Sequence, residues 1–163
     1  MRILTLGSET LREKSAPVKN IDGETNKLLT GMFEILDKHG GVGLAAIQVG
    51  LPLRLFITKI GNDTQRVFIN PSIIETSEEL TGYEEGCLSL PGIWGNIMRP
   101  KMIRVQAWNE KGKPFTMDAD GILARVIQHE YDHLGGALFI DKLSEGKREQ
   151  LLKKYEKLKK SKK

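Results

Sequence analysis

His129-Glu130-Tyr131-Asp132-His133 constrains this chain more than any other stretch of it. Residues four apart on an α-helix share a face, so on a helix both imidazoles reach one metal ion. Glu130 then sits one step round, close enough to handle protons at that ion. The segment predicts a helix over about 122–134, stopped by Gly135-Gly136. An H-E-x-x-H helix is the signature of metal-assisted amide hydrolysis. The plainer alternative is a helix that carries two surface histidines.

Two ligands are too few, because a catalytic site of this kind has three and one open position. The remaining histidine, His39, stands beside Gly40-Gly41 at the end of a predicted helix, where an imidazole interacts with the helix C-terminus. Zinc proteases with a third histidine six residues past the second need one at 139, which is Phe139. A distant carboxylate ligand is harder to exclude, since Glu145, Glu149 and Glu156 lie downstream. Cys87 is the better candidate. It lies in Glu85-Gly86-Cys87-Leu88-Ser89, and a divalent ion would deprotonate the thiol and complete a His2Cys set. Composition alone leaves a small buried hydrophobe as the other reading of a single cysteine.

The rest of the chain reads as one domain of mixed structure. Leu28, Leu29, Met32, Ile35 and Leu36 recur at helical spacing after Asp22, predicting a helix over about 23–38. Leu53–Thr58 and Val67–Asn70 are rich in strand formers, with turn chemistry at Gly61-Asn62-Asp63 between them. Pro71 predicts a bend or an edge there. Ile103–Trp108 alternates as a half-buried strand, Asn109–Gly112 turns it, and Pro114–Met117 returns. Ala137–Ile140 predicts a short strand. Strands clustered between helices without regular alternation indicate an α+β class.

With 163 residues, 39% hydrophobic and 28% charged, the chain fits an ordinary globular domain. No apolar run approaches the roughly 20 residues of a membrane span. The apolar stretch after Arg2 is too short for a signal-peptide core, so a cytoplasmic location is the expectation. From Lys147 to Lys163 nine Lys or Arg stand against two Glu; with +4 overall, the tail carries +7 and residues 1–146 carry −3. Leu151, Leu152, Tyr155 and Leu158 line one side of this tail, predicting an amphipathic third helix. Its charge is either a solvated helix face or a patch for an anionic partner such as RNA. The expected division is 1–146 for catalysis and 147–163 as a basic tail of the same domain, with no membrane or DNA partner.

Gly41-Val42-Gly43-Leu44-Ala45-Ala46-Ile47-Gln48 lacks the Lys-Ser/Thr pair of a phosphate loop and the dinucleotide-binding spacing. Taken alone it reads as a turn packed by small alanines, although the Gln48 amide is able to donate to an oxyanion.

Together, Gly41 to Gln48, Glu85 to Ser89 and Gln128 to Leu134 resemble, in that order, the three motifs of peptide deformylases. The resemblance extends over most of the chain. It implies a compact α+β fold, with antiparallel sheets around a central H-E-x-x-H helix and a C-terminal helix. The implied activity is removal of the formyl group from the N-terminal formylmethionine of new polypeptides, with release of formate. Cys87, His129 and His133 would be metal ligands, Glu130 the general acid/base, and Gln48 with the Leu88 N–H the oxyanion donors. Val42, Gly43, Gly86, Ile122, Val126 and His129 would line the methionine pocket. The implied ion is Fe2+ in the cell, with Zn2+, Ni2+ or Co2+ in purified protein. The resemblance also implies N-formylmethionyl nascent peptides as partners and ribosome contact through the basic helix. It leaves the roles of Trp94 and Arg125 open. Two rivals remain: a zinc endopeptidase, disfavoured by the Cys87 and Gln48 motifs, and a metal-stabilised RNA-binding module, which needs a fourth protein ligand.

Overall fold

The computed structural model describes residues 1–161. The first helix, α1 (Gly23–His39), starts where Asp22 accepts hydrogen bonds from the backbone of Glu24 and Thr25, and ends at the left-handed Gly40. The chain then enters β1 (Gly43–Ala45), a short 3-10 turn over Ala46–Val49, and β2 (Leu55–Thr58). Next come β3 (Arg66–Thr76), β4 (Leu80–Cys87), β5 (Leu90–Pro100), β6 (Met102–Trp108) and β7 (Pro114–Asp120). The metal-motif helix α2 (Gly121–Leu134) follows, then a 3-10 turn at Phe139–Lys142 and the terminal α3 (Glu145–Ser161).

Five strands form one antiparallel sheet in the order β1-β2-β3-β6-β7, and β4 with β5 forms a separate ribbon. Side chains on a strand alternate faces, so a strand covered on both sides must be apolar throughout. β2 is such a strand. Phe56 points into a core shared with Ala124, Ile127 and Leu134 of α2, while Leu55 and Ile57 point into a core shared with Leu29, Met32 and Leu36 of α1. A third core joins Leu90, Ile93 and Ile97 of β5 to Phe139, Ile140 and Tyr155. The central helix is thus held between the sheet and the ribbon, with Gln128 Nε2 donating to the Pro100 carbonyl on the ribbon side at 3.0 Å.

Several expectations are refined. β3 runs on through Pro71, and the bend expected there takes the form of a bulge. Asn70 takes a positive φ of 50°, and the β3–β6 register shifts between Ile69 and Ser72. The Asn70 side chain stabilises this bulge by exchanging hydrogen bonds with the Val18 backbone at 2.8 and 2.9 Å. Residues 137–140 do not form the predicted strand. Leu138, Phe139 and Ile140 are buried, and Asp141 accepts from the Leu138 N–H at 2.9 Å and from Arg12 at 2.6 Å, which closes a 3-10 turn. The turns at Gly61 and Asn109–Gly112 form as expected, with both glycines at positive φ.

Candidate metal centre

Helical spacing brings His129 and His133 to the ribbon-facing side of α2, with ring centroids 5.3 Å apart. Cys87 meets them from the end of β4, just before the two-residue turn Leu88-Ser89 that leads into β5. Its Sγ lies 3.5 Å from Nε2 of His133. One donor atom from each of the three residues lies within 4.8 Å of the others. Thiolate and imidazole ligands bound at about 2.0–2.3 Å in a tetrahedron stand roughly 3.3–3.8 Å apart, so the grouping fits one ion. His39 and the downstream glutamates are outside this cluster.

Burial sets the state of Glu130 and His133. Glu130 is 4% exposed and burial pushes its carboxyl up to about 7, against the pull of the neighbouring His129 and Arg99. Its Oε1 is buried without a hydrogen-bond partner, as is Nδ1 of His133. Unpaired buried polar atoms are costly, and a cation with its water would satisfy the carboxylate. Burial also holds His133 well below the ordinary histidine range, which keeps it neutral, as a ligand must be.

A second layer of charge holds His129, one of the three candidate ligands. Burial alone would raise the Glu85 carboxyl. Hydrogen bonds from His129, Arg99 and Arg125 outweigh it and keep the group ionised well below the usual carboxylate range. An ionised carboxylate only accepts, so Nδ1 of His129 carries the proton of their 2.9 Å contact, and Nε2 is left to face the site. Arg99 donates to Glu85 at 2.6 and 2.9 Å and to Asp132 at 2.8 Å. Arg125 donates to Glu85 and to the Ile97 carbonyl, each at 2.7 Å, and to the Thr81 carbonyl at 2.8 Å. The sequence reading named neither the His129–Glu85 contact nor the Arg99 clamp. Glu85 was visible in its motif, whereas Arg99 carries no local signal because its role depends on the ribbon pairing.

Gln48 is buried beside the thiol. Its Oε1 accepts from the Ala45 N–H at 2.9 Å, which fixes the amide's orientation, and its Nε2 donates to Ser89 Oγ at 3.0 Å and toward Cys87 Sγ at 3.5 Å. A cavity of about 570 Å³ opens above these groups. Val42, Gly43, Gly86, Ile122 and Val126 all line it, together with Gln48, Leu88, His129 and Glu130. Gly43 is required, since a Cβ there would fall 2.7 Å from both Glu130 Oε2 and Val126 Cγ1. Trp94 and Arg125 line the same cavity, with the indole lying over Gly86.

A cysteine–histidine cluster beside a buried glutamate suits metal-assisted hydrolysis of a small amide. The family model described as "Polypeptide deformylase" matches residues 1–149. This chain belongs to the polypeptide deformylase family. The peptide deformylase of Treponema pallidum is 47% identical over 155 residues, covering 95% of both chains. That of Borreliella burgdorferi is 47% identical over 156 residues, covering 95% of this chain and 94% of the relative. The crystal structure of a peptide deformylase from Legionella pneumophila superimposes with a TM-score of 0.94 at 39% identity, over 99% of this chain and 96% of the other. As a deformylase the chain is a metal-dependent hydrolase that takes the N-terminal formyl group from nascent polypeptides. Among the described residues, no helix is long and apolar enough to cross a membrane.

Proposed function

We propose that Cys87, His129 and His133 hold the metal ion, iron(II) in the cell, that Glu130 moves the protons, and that Gln48 and the Leu88 N–H receive the developing oxyanion. The clustering of three donor atoms within 4.8 Å, beside a buried glutamate at about pKa 7, carries this reading. The His2Cys donor set accepts zinc, nickel or cobalt as well, and purified protein is expected to contain those. When bound, the ion supplies Lewis acidity that brings the pKa of a water in the site from about 16 toward 7.

The chain's residues do the rest. Val42, Gly43, Gly86, Ile122 and Val126 take the methionine side chain in the cavity. β1 is the edge of its sheet; Gln48 takes up the Ala45 N–H, and Gly43, which lines the cavity, is the position whose backbone meets an extended peptide. Water adds to the formyl carbon while Glu130 takes a proton from it. The Gln48 Nε2 and the Leu88 N–H donate to the carbonyl oxygen as it becomes negative; losing one such donor typically costs about 100- to 1,000-fold in rate. Glu130 then passes the proton to the nitrogen as the C–N bond breaks, and formate and the free methionyl amine leave.

Glu130→Gln tests the assignment. The variant is expected to keep its metal and to lose turnover by about 100- to 10,000-fold. Turnover near that of the unaltered protein would remove Glu130 from the mechanism.

Residues 1–146 carry catalysis in this reading, and the basic segment 147–163, helical within α3 as far as Ser161 and with Lys162 and Lys163 outside the described residues, belongs to the same domain and meets the ribosome in the cytoplasm. Leu151, Leu152 and Tyr155 pack α3 into the third core, while Lys153, Lys154 and Lys157 face solvent. Deleting the helix would expose that core, so changing these three lysines to glutamate is the cleaner test. The variant should lose ribosome co-sedimentation at low salt; undiminished co-sedimentation would contradict the contact.

A further inference from the structure

Gln48 and the Leu88 N–H stand on separate elements, the 3-10 turn Ala46–Val49 and the Leu88-Ser89 turn between β4 and β5. Two donors that serve one oxygen atom must keep a fixed spacing, and the fold ties these two together. The N-terminal segment bridges their backbones. The Leu4 N–H donates to the Gln48 carbonyl at 2.7 Å, and the Leu6 N–H donates to the Ser89 carbonyl at 2.8 Å. A further tie is made by a side chain. Ser89 directly follows Leu88, is fully buried, and its Oγ accepts from Gln48 Nε2 at 3.0 Å.

A glutamine amide left to itself turns broadly about its terminal torsion. The Ala45 N–H pins Oε1 at 2.9 Å, but one hydrogen bond fixes only one corner of the amide. The bond to Ser89 fixes a second corner, and with it the plane of the group. The two N–H bonds of an amide are rigidly related, so pinning one of them aims the other. That other N–H is directed toward Cys87 Sγ, 3.5 Å from Nε2, and so into the donor cluster. A hydroxyl at 89 also accepts without placing a negative charge beside the forming oxyanion, as a carboxylate would.

We propose that Ser89 is a positioning residue for deformylation: its hydroxyl holds the Gln48 amide so that the free Nε2 hydrogen meets the carbonyl oxygen as it becomes negative. The proposal rests on the reading that Gln48 receives the oxyanion. Ser89 lies behind the cavity wall formed by Gln48, Cys87 and Leu88, so its effect runs through the amide and not through contact with substrate. Donors aimed in advance need no reorganisation at the moment of reaction. Losing that aim slows turnover and leaves ground-state binding alone.

The iron(II)-loaded full chain and its Ser89→Ala, Gln48→Ala and double variants would be assayed for formate release from formyl-Met-Ala-Ser, with bound metal measured in each. Ser89→Ala should lower kcat by about 10- to 100-fold, the range for a group displaced by up to about 1 Å, and change KM by less than about twofold. Gln48→Ala should lower kcat by about 100- to 1,000-fold. Added to Gln48→Ala, Ser89→Ala should cost less than about twofold more, because the group it aims is gone. A serine that only supports the fold would cost the same factor in both backgrounds, and that result would overturn the proposal. So would a Ser89→Ala variant with undiminished kcat, or one whose slow turnover follows from lost metal. A Gln48→Ala variant that turns over near the unaltered rate would instead overturn the reading of Gln48 on which the proposal rests.

Discussion

Glu85 holds His129 by its Nδ1, 2.9 Å away, and is itself clamped by Arg99 and Arg125. This contact sets which nitrogen of His129 faces the cluster, so the proposed ligand is oriented before any ion arrives. Glu85→Gln leaves two buried guanidinium groups facing a neutral amide. The expected loss of stability is about 3–5 kcal/mol, with metal affinity about 10- to 100-fold weaker. The pH dependence follows from the depressed carboxyl. Its stabilising effect is fully present above the ordinary carboxylate pKa and is lost as pH falls through the lower folded value. Urea unfolding of the metal-free protein should therefore show the unaltered chain losing more stability than Glu85→Gln between pH 5 and more acid conditions. Equal acid sensitivity would mean that Glu85 is not the ionised centre of this network.

Cys87 is the soft member of the donor set, and its Sγ stands 3.5 Å from His133 Nε2. Cys87→Ser substitutes a poorer ligand. Its metal affinity should fall by more than the about 10- to 100-fold typical of residues outside the ligand shell. Metal analysis after dialysis against a weak chelator reads this directly, and unaltered retention would remove the thiol from the ligand set.

Gly43 lets β1 pass against Glu130. Gly43→Ala places a methyl group 2.7 Å from Glu130 Oε2 and from Val126 Cγ1. Overpacking of this kind costs about 1–3 kcal/mol, and a 1 Å displacement of a reacting group can cost about 100-fold in rate. The variant should bind metal normally and turn over far more slowly. Full turnover would show that Glu130 does not need its observed position.

The α2 helix and its metal motif were legible because their chemistry is written at helical spacing within five residues. α1 was legible from its Asp22 cap and terminal glycines, and β6–β7 from alternation around Asn109–Gly112. The ribbon was not. Gly82, Gly86, Gly92 and Gly95, with Pro91, interrupt any alternation from Leu80 to Pro100, and each strand is defined by the other. All four glycines are instead shaped by contact: Gly82 against Asn96 and Met98, Gly86 under Trp94, Gly92 against Leu158 and Gly95 against Leu143. The buried network was hidden for the same reason, since Arg99 reaches Glu85 only once the ribbon has closed. The run Ala137–Ile140 misled because an apolar stretch buried on every side has no period to read. The Asp141 side chain, not the hydrophobic pattern, selects its turn.

The most direct test is formate release from formyl-Met-Ala-Ser by protein purified without oxygen and loaded with iron(II), beside the acetylated peptide. Rapid release from the formyl peptide, abolished by a chelator and absent with the acetyl group, is the predicted result. Cleavage of internal peptide bonds, or no formate with metal bound, would contradict the account.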